Sequence, residues 1–150
     1  MINVKKVAKV TLGLLLCSFI LGKDNISQAK SFNMALAPGS VYRAVDAPDT
    51  KDTKDYSNYY SGYINLAKIY DADSYWVQAK AVGNPYGNLE NDDNNIYSSA
   101  VKAQQGAGNV AIPEGWKGKQ MSIGSTYYLA LKNLNNTSDY RNASGTFGWY

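Results

Sequence analysis

The chain has 150 residues, with 15 Lys and Arg against 12 Asp and Glu, no His and a single Cys. Without His it lacks the usual general base, the commonest metal ligand and the side chain that titrates near neutrality. One Cys excludes an intramolecular disulfide framework and a Cys-rich zinc centre, and the length fits one domain.

The N-terminus opens with Lys5 and Lys6 and continues into an apolar run from Val7 to Gly22, interrupted by Lys9, Thr11 and Ser18. Ser27-Gln28-Ala29 then supplies a small-x-small cleavage site. A basic start, a short apolar run and small residues at the cut are the parts of a secretory signal peptide. The core from Val10 to Leu21 is 12 residues, whereas a spanning helix needs about 20 apolar residues. The sequence therefore predicts a signal-peptide helix within 1–29, cleavage after Ala29 and a secreted, extracellular domain over 30–150. Cys17 follows Leu16, where a lipoprotein signal would place a small residue, so an ordinary apolar position in the signal is favoured over a lipid anchor.

Cleavage would remove Lys5, Lys6, Lys9, Lys23 and Asp24, leaving 11 basic and 11 acidic residues. The net charge falls from +3 to zero. A neutral domain has no electrostatic footprint for nucleic acid and lacks the cationic excess that draws proteins to anionic membranes. Contact with a membrane is expected only through the signal during export.

From residue 30 onward the chain reads as short strands. Lys30 to Leu36 is a first strand or a loose arm, and Val41 to Val45 a weak strand. Asp46 to Asp55, with Pro48 and four acids, reads as a loop. Tyr60 to Lys68 alternates, with Tyr60, Ile64 and Leu66 on one face and Gly62 as a gap. Tyr75 to Ala81 sets Tyr75, Val77, Ala79 and Ala81 against Trp76, Gln78 and Lys80. Ile96 to Gln104 behaves similarly. Trp116 to Ile123 is a weak strand. Tyr127, Leu129 and Leu131 oppose Thr126, Tyr128, Ala130 and Lys132, and Ala143 to Trp149 puts Phe147 and Trp149 together. Such alternation marks half-buried strands. Turn formers separate them at Asn84-Pro85-Tyr86-Gly87, Gly106-Ala107-Gly108-Asn109, Pro113-Glu114-Gly115 and Asn133 to Thr137. About six to eight short strands at this spacing predict an all-β antiparallel sandwich or barrel-like sheet.

Chemistry is thinly represented. No His or Cys is available for a nucleophilic triad, and no phosphate-cradling glycine loop is present. A carboxylate pair can hydrolyse a glycoside, but the domain's only Glu residues, Glu90 and Glu114, both stand in turn sequences. Asp and Asn oxygens suit calcium, and Glu90, Asp92 and Asp93 are the richest cluster. They do not follow the spacing of a helix-flanked calcium loop, and a soluble hairpin loop is the plainer reading. No cofactor is expected. The aromatic surplus is the strongest hint of a contact surface, because Tyr and Trp stack on flat partners while offering a polar handle. Tyr59, Tyr60, Tyr63, Trp76 and Trp149 are the contact candidates, with a cell-wall glycan or a surface protein as the partner.

The Tyr127-Tyr128-Leu129-Ala130 strand and the ending Ser144-Gly145-Thr146-Phe147-Gly148-Trp149 resemble an uncharacterised family of small secreted Gram-positive proteins with a domain of unknown function. Its members often occur beside bacteriocin-type exporters. Trp76 to Asn84 is more faintly similar to a segment of lactococcin-like bacteriocins. The resemblance implies secretion and a β fold and supplies no catalytic residue. The expectation is a secreted, non-enzymatic β protein that binds at the cell surface or outside the cell. A bacteriocin-like antimicrobial is the alternative, and a small hydrolase using Glu90 or Glu114 the third reading.

Overall fold

The computed structural model describes residues 29–54, 60–70, 76–113, 115–134 and 138–149. The signal-peptide expectation, Tyr59, Tyr75 and Glu114 lie outside these residues, apart from Ala29 at the expected cleavage point.

Among the described residues nine strands form two antiparallel sheets that pack as a sandwich. They are β1 (Lys30–Leu36), β2 (Tyr42–Ala44), β3 (Lys51–Thr53), β4 (Tyr60–Ile69), β5 (Trp76–Val82), β6 (Val101–Gln104), β7 (Asn109–Pro113), β8 (Thr126–Asn133) and β9 (Arg141–Trp149). One sheet has the order β1-β9-β4-β7, the other β2-β8-β5-β6, with β3 also paired to β8.

The alternation read from the sequence builds the core. Phe32, Met34 and Leu36 of β1 meet Ala143, Phe147 and Trp149 of β9, and Val77, Ala79 and Ala81 face them from β5 with Tyr127, Leu129 and Leu131 from β8. On β4 the pattern changes phase: Ile64 and Leu66 are buried, and then Ile69 rather than Lys68. A register shift between Leu66 and Lys68 against β9 accounts for it. An extra residue in one strand turns every later side chain to the opposite face, so the bulge keeps Ile69 in the core and leaves the charged Lys68 outside.

Trp149 ties the sheets together. Its indole Nε1 donates to the Tyr127 carbonyl at 3.0 Å, and its ring lies 5.4 Å from Phe147. The expected gap at Gly62 is filled by this ring: a Cβ there would come within 2.7 Å of the Trp149 side chain and 2.0 Å of the Gly148 carbonyl oxygen. Gly62 is therefore a packing requirement.

Three local expectations are corrected. The loop expected over Asp46 to Asp55 contains β3, because Lys51 to Thr53 complete the edge of β8 that β2 leaves unpaired. The weak strand over Trp116 to Ile123 is a tight turn with a single bridge between Trp116 and Lys119. Asn109 to Pro113, bracketed by turn sequences, is the edge strand β7.

Candidate functional site

The outer face of the five-stranded sheet gathers the least expected side chains. Residues of β5 that point away from the core are Trp76, Gln78, Lys80 and Val82, since the alternate positions Val77, Ala79 and Ala81 are core residues. Pairing places Lys132 of β8 beside Gln78 and Ala130 beside Lys80. Tyr42 of β2 sits beside Lys132, and Lys102 and Gln104 of β6 stand opposite Gln78 and Trp76.

Part of this face is roofed by the loop that leaves β5. Tyr42, Val82 and Ala130 form a second small apolar cluster, with Ala44, Leu89 and Tyr128 packed against it. The loop's Asn and Asp residues hold its own backbone. Asn84 Oδ1 accepts from Tyr86 N, Asn88 Oδ1 from Glu90 N, and Asp92 Oδ1 from Asn94 N, each at 2.9 Å. Buried Asn95 donates to the Asn84 carbonyl at 2.9 Å and accepts from Asn84 N at 2.6 Å. These are the local side-chain-to-backbone turns that Asn and Asp favour.

The three calcium candidates therefore serve three separate purposes. Asp92 caps its own turn. Asp93 accepts from Trp116 Nε1 at 2.8 Å and from Lys117 Nζ at 2.9 Å, and these two donors, Lys117 first, hold its carboxyl below the ordinary range. Glu90 Oε1 accepts from Tyr42 N at 3.1 Å, while Oε2 pairs with Lys132 at 3.3 Å. Among the described residues no three acids converge as they would for a metal ion. Lys119 completes the Asp93 junction by donating to the Asn94 carbonyl while lying 3.9 Å from the Tyr97 ring.

At the centre of the roofed face lies Lys80, only 4% exposed. Its ammonium is 3.9 Å from the centre of the Tyr42 ring, on which Lys132 also rests at 4.8 Å. The Tyr42 hydroxyl donates to Gln78 Oε1 at 3.1 Å. Burial disfavours the charged form of each group. Desolvation, followed by the neighbouring Glu90 carboxylate, raises the Tyr42 hydroxyl well above its ordinary value. Desolvation lowers Lys80 to about 8, with Glu90 opposing and Lys132 adding to the fall.

The aromatic contact candidates separate. Trp76 is 42% exposed at the rim of this face. Tyr63 is buried and Trp149 fully so, which corrects their assignment as contact residues: Trp149 shares its face with Phe147 and fills the core. Tyr60 lies in β4 through its backbone pairing with Pro113. Tyr42 and Lys80 were missed as site residues. Lys80 alternates with Trp76 and Gln78 like any solvated strand position, and nothing in the local sequence tells that a loop returns over it.

Searches against protein-family models, curated proteins and solved structures gave no match to this chain.

Proposed function

We propose that the protein is exported and acts by binding a glycan at the cell surface or outside the cell, through the outer face of the five-stranded sheet. The supporting observation is Trp76, a large aromatic side chain 42% exposed on the same face as Gln78, Lys102 and Gln104. An aromatic ring offers a stacking surface to the C–H face of a sugar, and flanking amides and ammonium groups can hydrogen-bond its hydroxyls. The basic, apolar and small-residue succession of residues 1–29 supports export.

Co-sedimentation of the purified chain with isolated Gram-positive cell walls tests this reading. Saturable pelleting is expected, unchanged by a calcium chelator, and weakened at least tenfold by Trp76→Ala while the far-UV signature of the fold persists. Pelleting that is indifferent to Trp76→Ala overturns the assigned face. Absence of pelleting overturns the wall-glycan reading, and growth inhibition of related cells would then favour a bacteriocin-like role.

A further inference from the structure

Lys80 is nine-tenths buried, yet its polar needs are incompletely met from within the fold. Among the described residues none accepts a hydrogen bond from its ammonium; its neighbours are the face of the Tyr42 ring at 3.9 Å and the charges of Glu90 and Lys132. Glu90 is already committed, with one oxygen on Tyr42 N and the other on Lys132. Lys80, Lys132 and Glu90 together make two cations and one anion, and the cation left without an ion pair is Lys80. A buried cation without a hydrogen-bonding counter-charge is costly, and the cation–π contact offsets only part of that cost.

Gln78 supplies a second open donor. Because the Tyr42 hydroxyl donates into Gln78 Oε1, the amide NH2 of Gln78 is directed elsewhere, and among the described residues nothing accepts from it. Gln78 and Lys80 are two positions apart on the same face of β5, so an ammonium and an amide donor stand side by side. One positive charge and two adjacent donor groups suit one negative charge spread over two oxygens. A dianionic phosphate would leave a charge unmatched. Trp76 lies a further two positions along the same face. The distance from Trp76 to Lys80 along the strand is about 13 Å, which suits a short oligosaccharide better than a single ring.

We propose that Lys80 and Gln78 form a carboxylate subsite, and that the ligand of this face is an acidic oligosaccharide whose uronate-type carboxylate meets Lys80 while a neighbouring ring stacks on Trp76. This rests on the glycan-binding reading of the face. The subsite is cationic only while Lys80 is protonated. Of the other charged groups near it, Glu90 and Lys132 are paired with each other at 3.3 Å, and Lys102 lies further out on β6.

The test is titration of the full chain with trigalacturonate, with its methyl ester and with inorganic phosphate, followed by Trp fluorescence and by amide shifts of β5. Saturable binding of the acid is expected, with the ester at least tenfold weaker. Lys80→Met, which keeps the length and apolar stem of the side chain, should reduce the acid to the level of the ester. Lys68→Met, exposed on β4 of the other sheet, should change its affinity less than twofold. Raising the pH from 7 to 10 should imitate Lys80→Met in the native chain. Gln78→Leu, which leaves Lys80 in place, should weaken the acid severalfold and serves if Lys80→Met does not fold. Equal binding of acid and ester, an acid preference that survives Lys80→Met, or phosphate competing as well as galacturonate overturns the subsite. Wall pelleting that depends on Trp76 without any response to trigalacturonate overturns the carboxylate inference and leaves the glycan reading standing. Trigalacturonate binding without wall pelleting does the reverse.

Discussion

The two outer faces of the sandwich arise from the same alternating pattern and end up chemically unlike. On the four-stranded sheet, Ser31, Thr146, Asn65 and Asn109 stand in one row across all four strands. Asn65 donates to Asn109 at 3.2 Å, and a shallow, open depression of about 370 Å³ lies over Ser31, Asn65, Ser144 and Thr146. The lining carries no charge. On the five-stranded sheet the row across four strands is Tyr42, Lys132, Gln78 and Lys102, with Lys80 two positions along β5, and it is roofed in part by the 83–95 loop. The difference does not come from strand propensity. It comes from one return of the chain, anchored by Glu90 to Tyr42 and Lys132, which shields the part of the face around Tyr42 and Lys80 and changes what those side chains can do.

Four substitutions would break or sharpen this contrast. Trp149→Ala removes the ring and the indole hydrogen bond shared by both sheets, and a loss of about 3–5 kcal/mol is expected by urea unfolding. That effect should be indifferent to which outer face is probed. Glu90→Gln should separate the faces. Lys80 and Lys132 lose their counter-charge, and stability falls by about 1–2 kcal/mol. Hydrogen exchange should accelerate across 83–95 while β1 and β9 keep their protection. The same substitution should push Lys80 further below about 8, because the carboxylate is the influence that raises it.

Lys80→Met should act in the opposite direction. The folded-state value of Lys80 lies below the unfolded value of 10.5, so between those values the unfolded chain binds more protons and native stability rises with pH. Below pH 8 the full cost of the buried charge applies. Thermal unfolding should therefore show the Met variant more stable at pH 7 by about 1 kcal/mol or more, with the gain fading as pH rises from about 8 towards 10.5. Thr146→Val on the opposite face, which changes no buried group, should move stability by no more than about 0.5 kcal/mol.

Legibility in the sequence follows the same division. β5, β8 and β9 are readable because each alternates over seven or more residues, and their apolar positions are the core. Trp149 was readable as core through its parity with Phe147, and its aromatic bulk was the misleading signal. β7 hides because Ile112 is its one fully buried side chain and turn sequences flank it. β3 hides because Lys-Asp-Thr has no apolar face. It is a strand by virtue of its neighbour, with Leu129 N donating to Thr50 O at its start. The exposure of Trp76 follows from alternation. The burial of Lys80 and the role of Tyr42 do not, since both depend on where a loop lands after leaving β5.

The position of β9 has a kinetic consequence. It is the last described strand in sequence and yet lies between β1 and β4, so Lys30 pairs with Phe147 across most of the chain. Any process that delivers the polypeptide from its N-terminus leaves both neighbours without a partner until residues 141–149 arrive. Pairings of such sequence separation are slow to form, on the order of milliseconds to seconds. The strand order thus makes closure of the four-stranded sheet a late event that waits on residues 141–149, whatever else has already paired.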